Sequence, residues 1–262
     1  MKISCYCLTY RTPELLEEAI QSFLMQDYAG EKELIVLNDE PEQELVFLHP
    51  QVKVYNMKSR CDNIVKKYNH AISLCTGDIC VPWDDDDICL PHRLSSIVHE
   101  GNGGLWFTDN LFTDPIEGKL TFTTGSSHNN HAFSKDRFIQ LGAYHENDGN
   151  RSGYDFIFMA NLRATYMAEN GLSVSKVMPS YIYRKNTIDA PNHSNHIGLD
   201  KDNHYENYAK ELDGFKKGVI RLNPHWTRDW MGMALEEWRK QPTPKKLHEV
   251  DGSFPAPNKE EE

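Results

Sequence analysis

The sequence has no apolar run near the length a membrane span needs, and it opens without the basic-then-apolar pattern of a secretory leader. The expected compartment is the cytoplasm. Positive charge is also short: 28 Lys and Arg stand against 39 Asp and Glu, a net charge of -11. That balance argues against broad, sequence-independent binding of nucleic acid or anionic lipid, while leaving room for a local basic groove. Cysteine is sparse, at positions 5, 7, 61, 75, 80 and 89. Cys5 and Cys7 share one face of a predicted strand, but no second close pair completes a zinc site. They are read as small buried thiols, reduced as the cytoplasm would keep them. No internal repeat is evident. What is there is an ordinary globular composition, 39% hydrophobic and 11% aromatic over 262 residues. That is enough for one large α/β domain or two smaller ones with a full core.

The chain is organised around Val81-Pro82-Trp83-Asp84-Asp85-Asp86-Asp87-Ile88, an apolar run that ends in four consecutive carboxylates. Four adjacent acids repel one another, so a fold holds them cheaply only in open solvent or around a cation. A solvated acidic loop is the ordinary reading of such a run. Here the acids follow a buried-looking strand, Ile79 to Trp83, and precede Pro91, which suits the first turn of a helix. The carboxyl ends of strands are where open α/β sheets bind ligands. Hard oxygen donors there favour Mg²⁺ or Mn²⁺.

Periodicity supplies the frame. Ile3 to Thr9 reads as a buried strand, Thr12 as an N-cap and Pro13 as the first residue of a helix. That helix carries Leu15, Leu16, Ala19, Ile20, Phe23 and Leu24 on one stripe, with Glu14, Glu17 and Glu18 elsewhere. Leu34 to Leu37 is a wholly apolar strand ending in Asn38-Asp39. A short helix is expected over 42–49, a strand from Val52 to Tyr55, and a helix within 61–75 with Gly77 at its C′ position. Beyond Pro91, strands are expected at 105–108, 120–123, 174–177 and 181–184, with a hairpin turn at Glu117-Gly118. Helices are expected from Ser134 to Leu141, 155–170, 202–215 and 227–239. The tail from Gln241 is expected to be disordered. Alternation of this kind predicts an α/β fold with a mostly parallel central sheet, helices on both faces, and a helical C-terminal extension.

Two groups of residues then acquire a likeness. The first is Leu8-Thr9-Tyr10-Arg11-Thr12-Pro13-Glu14-Leu15-Leu16, Ser22 to Gln26 and Glu33 to Asp39. The second is Asn69-His70-Ala71-Ile72, Gly77-Asp78, the aspartates and Leu90-Pro91-His92-Arg93-Leu94. In order and spacing these resemble the family-2 glycosyltransferases of the GT-A fold, a Rossmann-like architecture. A weaker likeness continues through Gly142-Ala143-Tyr144, Gly153 to Phe156 and Tyr181 to Arg184. The resemblance implies a GT-A domain over 1–200, with a nucleotide-sugar half (1–100) and an acceptor half (101–200), followed by the extension over 201–262.

Such enzymes move a sugar from a nucleotide diphosphate donor to an acceptor hydroxyl. The resemblance implies that Thr9 and Tyr10 line the nucleotide pocket and that Asp39 accepts a hydrogen bond from the base, commonly uracil. A turn-capping role for Asp39 is the structural alternative. Asn69 and Asp62 are further donor candidates, with capping or core hydrogen bonding as the alternative. Asp86 takes the metal position, Asp84 and Asp85 reach the ribose or a metal-bound water, with Asp84 a further metal candidate, and Asp87 caps the next helix. A divalent ion stabilises the charge that develops on the departing diphosphate.

An inverting transfer also needs a carboxylate base. The family's acidic pattern puts Gly153 where that base is expected, so Asp155 is assigned the role, with Asp148 and Glu146 in reserve. As a plain alternative, Asp155 caps the helix it opens. Tyr183-Arg184 lacks the following His of many family members. His193 or His196 is the candidate third metal contact, and Arg184 or Lys185 the candidate charge for the diphosphate. The acceptor is expected to be a saccharide. The alternatives are a hydroxymethylated base of viral DNA, contacted through His128, His131, Lys135, Arg137 and tail lysines, or a binding module that has lost its chemistry.

Overall fold

A computed structural model describes residues 1–114, 119–125, 127–144, 156–170, 178–184 and 215–241. The expected strands β1 (Ile3–Thr9), β2 (Lys32–Asn38), β4 (Val52–Asn56) and β5 (Ile79–Pro82) form the parallel part of the main sheet. β1 lies at its centre, with Cys5 opposite Leu34 of β2 and Val81 of β5. Every residue of β1 and β2 is buried, as expected of strands covered on both faces. Two further strands, β7 (Leu105–Phe107) and β10 (His131–Ser134), extend the sheet antiparallel in the order β4-β2-β1-β5-β10-β7.

The covering helices divide between the two faces. α1 (Pro13–Leu24) and α3 (Arg93–Glu100) build one core around Leu16, Ile20, Phe23 and Trp83. α2 (Ile64–Leu74), α4 (Lys135–Gln140) and α5 (Phe156–Asn170) build the other around Tyr68, Phe133, Phe138 and Phe158. Asn63 caps α2 through Lys66 N at 2.9 Å, and Ser134 caps α4 through Arg137 N.

Four local expectations are corrected. The stretch over 42–49 is not a helix: Gln43 and Leu45 point inward and Glu44 outward, the period of a strand, and β3 (Gln43–Val46) pairs in parallel with β12 (Gly218–Arg221). Its partner is far away in sequence, so local periodicity could not reveal it. Gly77 is not a left-handed helix stop, because Cys75 already ends α2 in an extended conformation. Glycine is needed there because a Cβ would lie 2.8 Å from Lys2 O and Ser4 N of the adjoining strand. Pro91 precedes α3 instead of opening it; the helix starts at Arg93. The described part of the C-terminal extension begins with strand β12 before its helix, α6 (Trp230–Arg239), which starts three residues later than expected.

α6 packs Trp230, Ala234 and Trp238 against a second, four-stranded sheet. Its order is β6-β11-β8-β9, from β6 (Ile88–Cys89), β11 (Tyr181–Arg184), β8 (Asn110–Asp114) and β9 (Thr121–Thr124). β8 and β9 are antiparallel, as the expected hairpin requires. The turn at 117–118, the expected strand at 174–177, residues 202–214 and the tail from 242 lie outside the described residues.

Candidate functional site

The carboxyl ends of β1, β2 and β5 bring Thr9-Tyr10, Asn38-Asp39 and the aspartates to one rim. On the β2 side, Asp39 is fully buried and pairs with Lys67 Nζ at 2.5 Å, while Cys61 N donates to its other oxygen at 3.1 Å. Lys67 also donates to Thr9 O at 2.7 Å. The turn itself is capped by Asn38, whose Oδ1 accepts from Glu40 N, and not by Asp39. Lys67 was missed from the sequence, although its place on the apolar stripe between Ile64 and Ala71 was a signal: a lysine there must find a partner inside. Tyr10 lies under the Arg60 guanidinium at 3.8 Å, with Arg11 at 4.8 Å. Arg11 adopts a left-handed φ of 64° and pairs with Glu40 at 2.5 Å; uncommon backbone of this sort collects at functional sites.

The aspartates occupy the loop between β5 and β6. Asp84 is partly open, its side chain 27% exposed, and lies 3.6 Å from His128 Nδ1. Asp85 accepts from Thr12 Oγ1 at 2.8 Å. Thr12, which precedes α1, therefore spends its hydroxyl on the acidic loop and not on capping the helix. Asp86 is buried. Burial and the charges of Asp87, Asp85 and Asp84 push its carboxyl well above the usual range. Burial also raises Asp85 against the hydrogen bonds from Thr9 and Thr12, and burial with the Asp84 charge raises Asp87 to about 7. The four carboxylates outnumber the Arg184 and Lys67 charges that act on them, and their hard oxygens suit Mg²⁺ or Mn²⁺. Among the described residues no three acidic, imidazole or thiol groups form a ready-made ion cage.

Asp87 caps nothing. Its carboxylate accepts from Tyr181 Oη and from Arg184 N, the latter at 2.7 Å, which ties the acidic loop to β11. Arg184 is likewise not a diphosphate contact: it is 2% exposed, its Nε donates to Asp86 O and its Nη1 pairs with Glu18. Asp62 is exposed and pairs with Lys66 on its own helix face at 2.6 Å. Asn69 donates to Tyr144 O at 3.2 Å, and Tyr144 Oη in turn meets His128 Nε2 at 2.7 Å. The His- and Asn-rich stretch of 128–131 was the sequence signal for His128. Asp155, Asp148, Glu146, Gly153, Lys185, His193 and His196 lie outside the described residues, although α5 begins one residue after Asp155.

The side chains assigned to DNA phosphates are engaged internally. His128 is 9% exposed and His131 fully buried, Lys135 Nζ bonds Cys75 O, and Arg137 pairs with Glu169 at 2.5 Å.

A mostly parallel sheet with a buried acidic loop at its carboxyl rim, beside an aromatic and a buried acid, has its polar side chains where open α/β sheets bind ligands. Residues 4–101 match the profile of Glycosyl transferase family 2. Among solved structures, S. aureus TarS 1-349 in complex with UDP-GlcNAc matches with a TM-score of 0.50 at 16% identity, over 71% of this chain and 59% of that one. TarS 1-349 alone matches with a TM-score of 0.47 at 14% identity, over 71% and 61%. The chain thus spans less than two thirds of the TarS chains it matches, and at this identity the likeness to the UDP-GlcNAc complex is one of fold. No curated protein sequence matches the chain.

Proposed function

We propose that this protein is a divalent-cation-dependent, inverting glycosyltransferase that moves a sugar from a UDP-sugar to a saccharide hydroxyl. The observation that carries the reading is the acidic loop: carboxylates buried at the end of β5 whose ionisation is held back by burial and mutual repulsion, beside Thr9, Tyr10 and Asp39. The UDP-GlcNAc held by the TarS structure of like fold supports the choice of nucleotide. Asp86 and Asp84 are the residues that would hold Mn²⁺ or Mg²⁺, with His193 as a third contact. When bound, the ion stabilises negative charge on the leaving diphosphate. Thr9 and Tyr10 line the base side, and Asp39, held in place by Lys67, is the residue that meets the uracil. Asp85, steadied by Thr12, faces the ribose. Asp155 is assigned the acceptor's proton.

A saccharide is preferred to DNA because the four described side chains assigned to phosphates already have partners in the protein or are buried in it. Gly153, at the position where the family carries its base, supports a second reading as a nucleotide-sugar binding module without turnover. A thermal-shift screen of nucleotide sugars with and without Mn²⁺ tests the donor, since a ligand of the folded state raises its stability by mass action. UDP with Mn²⁺ is expected to stabilise the wild type and not Asp86→Ala; equal stabilisation of both, unaffected by EDTA, would overturn the reading. Release of free sugar from the stabilising donor separates the enzyme from the binding module.

A further inference from the structure

Glu18 sits on α1 among residues whose periodicity assigns it to the solvent side, yet it is 3% exposed. Its Oε1 accepts from Thr227 N and Thr227 Oγ1, both at 2.8 Å, and from Trp230 Nε1 at 3.1 Å. Its Oε2 pairs with Arg184 Nη1. Arg184 lies against the Trp230 ring at 5.8 Å, donates Nε to Asp86 O, and gives its backbone N–H to Asp87. One buried carboxylate therefore joins three parts of the chain far apart in sequence: the first helix, the segment leading into α6, and the strand that holds the acidic loop.

We infer that Glu18 is a positioning residue for the donor site: it fixes the Arg184 guanidinium on the backbone of the acidic loop, and the docking of Thr227 and Trp230 fixes Glu18. The inference rests on the donor-and-cation reading of that loop. An arginine inside a core needs a counter-charge. Without Glu18, the charge of Arg184 is left to the other buried acids around it, Asp114 of the paired strand and those of the loop, and the carbonyl of Asp86 loses its fixed donor. The C-terminal segment thereby becomes part of the donor site although it touches no donor.

The test is the Mn²⁺ concentration that gives half-maximal thermal stabilisation in the presence of saturating UDP, measured on the full chain. Glu18→Gln is expected to raise it tenfold or more. Because a lone buried arginine can unfold the protein, a second variant, Glu18→Met with Arg184→Met, replaces the pair by apolar side chains of similar length, a change that folds tolerate well. It should also need at least tenfold more Mn²⁺. A merely structural role lowers the melting temperature and leaves the Mn²⁺ requirement unchanged. Should either folded variant respond within twofold of the wild-type concentration, the positioning role is overturned. A wild type that gains no stability from UDP and Mn²⁺ overturns the donor-and-cation reading itself, and this inference with it.

Discussion

The buried Lys67–Asp39 pair offers a quantitative test of the site. The two side chains are 3% and 0% exposed and 2.5 Å apart. Removing one partner of such a pair strands a charge in the interior, which costs about 3–5 kcal/mol. Lys67→Met keeps the stem and the packing of α2 but takes away the cation that pairs with Asp39. For a chain of this size that loss lowers the melting temperature by roughly 6–20 °C, at about 2–4 °C per kcal/mol. Adding Asp39→Asn removes the stranded charge and keeps an acceptor for Cys61 N. The double variant then lacks mainly the bond from Lys67 to Thr9 O, about 1 kcal/mol. The assay is urea denaturation of the wild type, both singles and the double variant as a cycle, because contacting residues couple. A strong coupling energy, with the double variant more stable than Lys67→Met, is expected. A Lys67→Met cost below about 1 kcal/mol, or additive behaviour, would refute the buried pair and with it the fixed presentation of Asp39.

Two further predictions concern stability. Burial, with His128 and Arg93 nearby, holds the His131 imidazole well below its usual range, so it is neutral when folded while the unfolded chain takes up a proton. Its contribution is complete above about pH 6.5 and falls by up to ~1.4 kcal/mol per unit as pH drops below that value. His131 stacks on Phe133 and its ring nitrogens have no hydrogen-bond partner among the described residues, so His131→Phe should flatten that acid limb; an unchanged slope in stability against pH counts against the assignment. Gly77→Ala forces a Cβ to within 2.8 Å of β1 backbone and should cost about 1–3 kcal/mol, whereas a neutral result would show that α2 and β1 separate freely.

The central frame was legible locally. β1, α1, β2, β4, α2 and β5 all appear where apolar periodicity put them, because strands buried on both faces and helices with one apolar stripe write their burial into consecutive residues. The acidic loop was legible too, since four adjacent carboxylates straight after a buried strand concentrate negative charge that only solvent or a cation can answer.

What the sequence by itself determined is thus the order of the α/β units, the rim on which the acids lie, and the likeness of the first hundred residues to the family-2 profile. What only the tertiary structure decided is which polar side chain answers which. Lys67 serves Asp39, Thr12 serves Asp85, Tyr181 and Arg184 hold Asp87, and Glu18 answers Arg184 across most of the chain. β3 became a strand for the same reason, through a partner more than 170 residues away. Hydrophobic burial leaves a periodic trace along the chain, whereas a hydrogen bond or ion pair depends on two positions whose separation the fold alone sets.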